Sequence, residues 1–233
     1  MNNDVTQVIS DTINKNDLLM MLNYRRLENI RRCNNLPTIN TVTVAQHSYY
    51  TALLAVTLAS DYNDWATKNN LKHHPLDFDN LVPTINGDKA MKKALFHDLE
   101  EAFTSDIPWN VKHHDKKSHE VITECIQAKL AKIYDGCSPV IKEHKQFIET
   151  CKDNTIEGQL VDLVDSLECA WYCYQEVSMG NKYLGNMLRK CLLLIKDMPL
   201  YAKLYTASPI FKSMMKLFGN LSNSNCDKTM NID

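Results

Sequence analysis

The sequence contains no run of about eighteen apolar residues, which argues against a membrane-spanning helix. Its first twenty residues are polar and carry several Asp and Asn, so they do not resemble a secretory signal peptide. Cys-x-x-Cys pairs are also absent, and the eight cysteines are scattered through segments that look helical. Reduced, mostly buried thiols are therefore expected rather than a disulfide framework, and we predict a cytoplasmic protein.

The sequence also lacks a large excess of positive or negative charge. The formal net charge is −2 at pH 7 and the isoelectric point is near 6.4, so no basic field indicates nucleic acid or a membrane surface as a partner. The few arginines are nevertheless concentrated, because four of the five lie at Arg25, Arg26, Arg31 and Arg32. Arginine suits bidentate binding of phosphate, although a solvated helix face is the more common role for any one of them. The abundance of Lys and Asn suggests an AT-rich genome, that of a phage or of a low-GC bacterium; for a phage protein the cytoplasm would be the host's.

The 233 residues are enough for one well-buried core. Apolar residues recur at helical spacing, and the sequence shows neither an alternating strand pattern nor an internal repeat, which predicts an all-α domain. The predicted helices span residues 11–32, 44–63, 88–104, 116–134, 139–151, 156–179, 183–196 and 200–218. The segment 65–87 is expected to be irregular because it contains Pro and Gly. Residues 1–219 are predicted to form the domain, and residues 220–233, rich in Asn and Ser, a disordered tail.

The segment 94–109 carries the strongest chemical signal. An apolar run leads into adjacent His97 and Asp98, and Glu101 follows one helical turn later. In a helix, residues three and four apart share a face, so these three side chains would crowd one patch. Imidazole and carboxylate both bind divalent ions, and a further carboxylate could accept or give a proton. The leading hypothesis is a metal site built on a helix.

Two other polar residues lie in strongly apolar helical segments. His47 is as well explained by a backbone hydrogen bond as by metal binding, whereas the remaining histidines outside the 97–98 pair fit an ordinary surface role. Asp165 would be costly to bury unless it is paired or bound to a cation, and Asp162 is the outward-facing acid of the same helix. Together with the His97–Asp98 pair, they would supply two nitrogens and two carboxylate oxygens, a set that suits Mn, Fe, Co, Zn or Mg.

With this pattern the chain resembles the HD-domain metal-dependent phosphohydrolases, whose fold is a single helical bundle. Within them it is most similar to the bacterial 5′-deoxynucleotidase branch and to related phage deoxynucleotide phosphohydrolases. The resemblance covers roughly residues 22–180. Three segments carry it: Arg32 followed by Val44-Ala-Gln-His47-Ser; His97-Asp98-x-x-Glu101-x-x-Thr-x-Asp106-x-Pro108-x-x-Val-Lys112; and Leu160-Val-x-x-x-Asp165-x-Leu with Met179-Gly-Asn181 beyond.

The resemblance implies a catalytic site with one divalent cation, which would be Mn, Co, Zn or Mg. The implied metal ligands are His47, His97, Asp98 and Asp165. Glu101 and Asp106 match the acidic residues that activate or orient the attacking water. These residue types suit phosphate ester hydrolysis, because the ester's negative charge repels the nucleophile and must be offset by positive charge.

The implied substrate contacts are Arg32 and Lys112 for the phosphate. Cys33 stands where the best-studied branch has an aromatic residue that shapes the sugar pocket, so sugar and base selection are expected to differ. Trp109 would stack on a base, although core packing is the more common role of a tryptophan. Gln46 replaces the Glu that is usual before the first ligand histidine.

The implied function is hydrolysis of 2′-deoxynucleoside 5′-phosphates, either as a 5′-deoxynucleotidase on monophosphates or as a dATP triphosphohydrolase. Two alternatives stay open: hydrolysis of a signalling nucleotide such as (p)ppGpp or a cyclic nucleotide, and a helical binding module with a structural metal. Glu101 and Asp106 argue against the last, because a structural ion needs neither. The resemblance also implies a homo-oligomer, dimeric or larger.

Overall fold

A computed structural model of the chain describes residues 14–72, 81–108, 111 and 114–224. Within these ranges the regular elements are helical, and extended segments pair only at one isolated antiparallel bridge, Arg31–Thr43. This confirms the prediction of an all-α fold. None of the described helices combines the length and the apolar character needed to cross a membrane.

Ten α-helices and two short 3₁₀ helices make up the described part of the chain. The α-helices are α1 Lys15–Tyr24, α2 Val44–Asn70, α3 Gly87–Phe96, α4 Glu101–Thr104, α5 Lys116–Ile133, α6 Pro139–Thr150, α7 Ile156–Ser178, α8 Gly185–Asp197, α9 Tyr201–Ala207 and α10 Pro209–Ser224. The 3₁₀ helices are Arg25–Asn29 and Lys182–Leu184.

The core forms where α7 packs between α2, α3 and α8. Leu160, Leu163 and Leu167 recur along one stripe of α7 and are fully buried, as are Leu58 of α2 and Leu188 of α8. Apolar residues three and four apart line a single face of a helix, so α7 buries that stripe continuously. A second apolar cluster joins α1 to α5 and α6. The two clusters lie around the segments that carry the predicted site residues.

The start of α2 is fixed by a capping box. Thr43 Oγ1 accepts a hydrogen bond from the Gln46 N–H, and Gln46 Oε1 accepts one from the Thr43 N–H. Both bonds satisfy backbone donors that the first helical turn leaves without partners. Gln46, which stands where Glu is usual in the resembled family, therefore keeps the cap that orients the adjacent His47.

The first helix predicted from the sequence is wrong in extent. Residues 11–32 were predicted as one helix, but α1 ends at Tyr24 and a 3₁₀ turn follows to Asn29, while residues 11–13 lie outside the described residues. The chain then becomes extended because the Arg32 N–H donates to the Val42 carbonyl and the Val44 N–H to the Ile30 carbonyl, both at 2.9 Å. These bonds bring Arg32 beside the start of α2.

The predicted helix 88–104 is interrupted after Phe96. There the backbone N–H groups of Leu99 and Glu101 donate to carbonyls three residues back, at 3.1 Å each, and a tight turn leads into the short helix α4. Bonds of this type tighten a helix end and redirect its side chains. His97 and Asp98 consequently lie at the end of a helix and not within one.

The segment predicted as irregular, 65–87, is partly helical, because α2 continues to Asn70. The Asn63 side-chain amide bonds both the N–H and the carbonyl of Ile85, at 2.8 Å each. The Asn70 amide bonds the N–H and the carbonyl of Val82 in the same way, at 2.8 and 3.0 Å. Residues 73–80 lie outside the described residues. The two polar side chains thus bind the returning chain to the last turns of the helix.

The C-terminal segment also differs from its prediction. The predicted helix 200–218 is two helices, α9 and α10, separated at Ser208 before Pro209, which cannot continue a helix. The tail predicted from residue 220 begins inside α10, where Leu221 packs against the core and Ser222 is buried. Residues 225–233 lie outside the described part of the chain.

A buried carboxylate holds the loop after Arg32 against the end of α7. Glu176 accepts hydrogen bonds from the backbone N–H groups of Ile39 and Asn40 and from the Asn181 side-chain amide, all at 2.7 Å. Asn181 also donates to the Pro37 carbonyl at 2.8 Å. Burial alone would raise the pKa of Glu176, but the three donors stabilise its charged form and lower that pKa below its usual value.

We expect Glu176→Gln to lower the free energy of unfolding by about 2 kcal/mol at pH 7, because charge-assisted hydrogen bonds are lost and an amide N–H₂ is turned toward backbone donors. A carboxylate whose pKa is depressed on folding contributes stability that is present above its unfolded pKa, near ~4.3. That contribution is lost as pH falls through the folded pKa.

Urea unfolding of both proteins between pH 7 and pH 3 checks this expectation. The stability difference should shrink at the acid end, whereas a difference independent of pH would contradict it. Glu28→Gln, at an exposed residue that pairs only with Arg25 in its own turn, is the matched control and should change little at any pH.

Candidate metal centre

Three helices each bring part of the predicted ligand set to one place. His47 lies in the first turn of α2, the His97–Asp98 pair at the end of α3, and Asp165 in the middle of α7. Both imidazoles are buried, and the two carboxylates are half-buried. The capped start of α2 and the tight turn after Phe96 set the directions from which these side chains enter.

The four side chains converge closely. His47 Nε2 lies 3.1 Å from His97 Nε2 and 3.0 Å from Asp165 Oδ1. His97 Nε2 lies 3.2 Å from Asp98 Oδ2 and 3.6 Å from Asp165 Oδ1. His47 Nε2 is 3.6 Å from Asp98 Oδ2. Each imidazole nitrogen therefore faces an oxygen of both carboxylates, and His47, His97 and Asp98 form a candidate metal site.

The outer nitrogen of each imidazole is held by a hydrogen-bond acceptor. His47 Nδ1 bonds the Glu168 carboxylate, and His97 Nδ1 donates to the Ala94 carbonyl at 2.7 Å. Because Nδ1 carries the proton in both bonds, a neutral ring points the Nε2 lone pair at the shared centre. Carboxylate and carbonyl partners of this kind usually orient metal-binding histidines.

The centre favours positive charge. Burial lowers the pKa of His97, but the carboxylates of Asp98 and Asp165 raise it well above its usual value. The pKa of Asp98 lies below its usual value, since His97 and Arg32 outweigh the effect of burial. A divalent cation would supply this positive charge in place of protons, so its binding should release protons. Two imidazole nitrogens and two carboxylates thus fit a divalent ion.

Two cationic side chains border the centre. Arg32 Nη1 lies 2.6 Å from Asp98 Oδ2, and Arg32 Nη2 lies 4.0 Å from Asp165 Oδ1. On another side the Lys152 ammonium donates to Asp165 Oδ2. Sequence analysis singled out Arg32 but not Lys152, because a lysine in a polar turn gives no signal. It also missed Glu168, although the spacing of three from Asp165 places both on one face of α7.

Two further acids predicted to act in catalysis lie on the segment after Asp98. Glu101 is buried, and its Oε2 has no hydrogen-bond partner among the described residues. Burial, reinforced by the nearby charges of Asp98 and Asp106, raises the pKa of Glu101 to about 9. Asp106 is half-buried, which raises its pKa, and it accepts a hydrogen bond from the Cys33 N–H. The buried side of the centre therefore contains a carboxyl group that holds a proton readily.

The predicted substrate contacts are only partly described. Cys33 directly follows Arg32 and has a left-handed backbone, with φ at 53°, which is uncommon for a residue other than glycine. Burial raises the pKa of its thiol to about 12, so the side chain is a small neutral group at neutral pH. Trp109 and Lys112 lie outside the described residues.

Comparison with known proteins places the chain in a family. The family model described as "5′-deoxynucleotidase YfbR-like" matches residues 20–214. The 5′-deoxynucleotidase YfbR of Escherichia coli O127:H6 is 28% identical over 165 residues, covering 67% of this chain and 71% of that protein.

Solved structures agree on the fold. An HD-domain phosphohydrolase from Listeria innocua has a TM-score of 0.67 at 20% identity and covers 88% of this chain and 97% of its own. The PH0347 protein from Pyrococcus horikoshii has a TM-score of 0.62 at 24% identity and covers 86% of this chain and 99% of its own. With the family match over residues 20–214, the chain belongs to the YfbR-like family of HD-domain phosphohydrolases.

Proposed function

We propose that the protein hydrolyses 2′-deoxynucleoside 5′-monophosphates to deoxynucleoside and inorganic phosphate, with Mn, Co, Zn or Mg as cofactor. The observation that carries the proposal is the convergence of two imidazoles and two carboxylates beside Arg32, in a chain of this family. The name of its Escherichia coli relative, a 5′-deoxynucleotidase, supports the choice of a deoxynucleoside monophosphate.

The cation would be held by the inward-facing atoms described above: His47 Nε2, His97 Nε2, Asp98 Oδ2 and Asp165 Oδ1. When bound, a divalent ion supplies positive charge against the phosphate ester and lowers the pKa of nearby water. Glu168 and the Ala94 carbonyl hold the two rings in the required tautomer.

Arg32 binds the phosphate in this proposal. Its guanidinium lies beside the centre, and its side chain is 20% exposed, so its remaining N–H groups border the space a substrate would enter. A guanidinium carries five N–H donors in a planar fork that matches two phosphate oxygens. The ion pair with Asp98 fixes the position of this fork before a substrate arrives.

Glu101 takes the proton that the attacking water loses. The nearby carboxylate charges that help raise its pKa to about 9 would be offset by a bound cation, which favours the ionised form that can act as a base. Its Oε2 has no hydrogen-bond partner among the described residues and is placed to accept the proton. Asp106, held in place by the Cys33 N–H, orients the attacking water. A structural ion would require neither acid, so these two residues favour an enzyme over a binding module.

Assembly and location stay predictions: a homo-oligomer from the resemblance, and the cytoplasm from the pattern of cysteines. On α10, Phe211, Met215 and Phe218 are buried in the core, whereas Ile210 and Leu217 are about half exposed. Helix α10 therefore has one face in the core and one that is partly exposed. Its exposed face supports the prediction of an assembly.

Phosphate release from a nucleotide panel tests the proposed substrate. With Mn or Co present, we expect deoxynucleoside monophosphates to be hydrolysed with higher kcat/KM than the matching ribonucleotides. Removal of the metal by a chelator should abolish release, and added Mn or Co should restore it. A preference for ribonucleotides or for ppGpp would contradict the proposal, and tripolyphosphate released from dATP would assign a triphosphohydrolase instead.

Glu101→Gln should lower kcat by about 100-fold or more, because a positioned general base contributes on that scale and an amide cannot accept the proton. Metal binding, measured by calorimetry, should be retained since Glu101 is not among the proposed ligands. Glu124→Gln, at an exposed residue of α5, is the matched control and should keep full activity. Undiminished turnover in Glu101→Gln would remove Glu101 from the mechanism.

Asp98→Asn and His97→Ala should each lose metal binding, because each removes a proposed ligand atom. The unmodified protein should melt at a higher temperature when Mn is added, since a ligand of the folded state stabilises it. That increase should disappear in both variants. His114→Ala, at a residue whose side chain is 77% exposed, should retain it. An equal increase in Asp98→Asn would place the ion elsewhere.

A further inference from the structure

The turn that joins α6 to α7 and carries Lys152 is built on buried polar groups. The fully buried Lys93 ammonium donates to the Thr150 carbonyl at 2.6 Å and pairs with Asp153 Oδ1 at 2.7 Å. Gly158 allows the turn to pack onto α7, because a side-chain carbon there would lie 2.3 Å from the Asp153 carbonyl oxygen. The backbone of Lys152 is therefore held in a defined position.

From this turn the Lys152 side chain reaches the rim of the metal centre. Its ammonium donates to Asp165 Oδ2 and lies 3.7 Å from Asp162 Oδ1, while 37% of the side chain remains exposed. The other oxygen of Asp165, Oδ1, faces His47 Nε2 at 3.0 Å and Arg32 Nη2 at 4.0 Å. Asp165 thus lies between two cationic side chains, both partly open to solvent.

A lysine at this position opposes the binding of a divalent cation. Its ammonium repels the ion and competes with it for Asp165. The binding of a phosphate ester dianion, by contrast, is strengthened by every positive charge within a few ångströms. An ammonium has three donors on a flexible stem, so it can keep one bond to Asp165 and turn another toward an oxygen of a bound anion.

We infer that Lys152 is a second cationic contact for the substrate's phosphate, placed across Asp165 from Arg32. The planar guanidinium of Arg32 is held in position by Asp98. The ammonium of Lys152 is a single positive charge on a flexible side chain, on the solvent-exposed side of Asp165. The inference rests on the proposed function, because it assigns a residue to the phosphate of that reaction. It extends the site to a turn that lies outside the three sequence segments in which the resemblance was recognised.

Calorimetry with the Mn-loaded protein and inorganic phosphate, the proposed reaction product, tests this contact. Lys152→Met should weaken phosphate binding by about tenfold or more, as expected for the loss of a hydrogen bond between charged groups. The inhibition constant of phosphate in the turnover assay should rise in parallel. Lys152→Arg keeps the charge and should retain most of the affinity.

Titration with Mn alone separates this role from the positioning of Asp165. Lys152→Met should bind Mn at least as tightly as the unmodified protein, because a repelling charge is gone. Weaker Mn binding in that variant, or unchanged phosphate binding, would overturn the inference. Lys203→Met, at an exposed residue of α9, controls for the loss of one positive charge and should change neither constant.

The two proposals fail in distinguishable ways. A protein that binds phosphate but releases none from deoxynucleotides contradicts the proposed function, while the comparison of phosphate affinities still decides the role of Lys152. If the unmodified Mn-loaded protein binds no phosphate, the inference about Lys152 is wrong, while phosphate release from the nucleotide panel still decides the proposed function.

Discussion

The burial of two imidazoles and two carboxylates within one helical bundle is the constraint on which the rest of the structure depends. Removing such groups from water is unfavourable unless each finds a partner of opposite charge or a hydrogen bond. In this fold the two imidazoles face the two carboxylates, and Glu168 and the Ala94 carbonyl accept hydrogen bonds from the outer ring nitrogens. Arg32 and Lys152 pair with the carboxylates from outside. A divalent ion adds to an arrangement that is already electrostatically organised.

The same requirement explains where the helices depart from regularity. α3 ends at Phe96 so that the next two side chains turn inward, and the chain after Asn29 becomes extended so that Arg32 reaches Asp98. After Asn29 hydrogen bonds to distant residues replace those that a continuing helix would have made, and after Phe96 bonds to carbonyls three residues back replace them. The irregular segments therefore position Arg32 and the His97–Asp98 pair, while His47 and Asp165 of the candidate site come from regular helices.

Much of the fold and of the candidate site could be predicted from the sequence. Helical periodicity located most helices, and the polar residues His47 and Asp165 stood out because they interrupt apolar stripes. The extended chain after Asn29 could not be predicted, since it depends on hydrogen bonds between residues 30–32 and 42–44, which are distant in sequence. Lys152 was missed for a related reason: only the fold reveals that the turn bearing it lies against Asp165.

Helix α7 connects Asp165 of the candidate site to the loop that follows Arg32. It carries Asp165 at its centre and, about 16 Å further along its axis, Glu176, which holds the loop that follows Arg32. A rigid helix moves as one body, so any sliding of α7 within the bundle carries Asp165 and the anchor of that loop together. Such a motion would shift Asp165 relative to the histidines of α2 and α3, but it would largely preserve the spacing between Asp165 and Arg32.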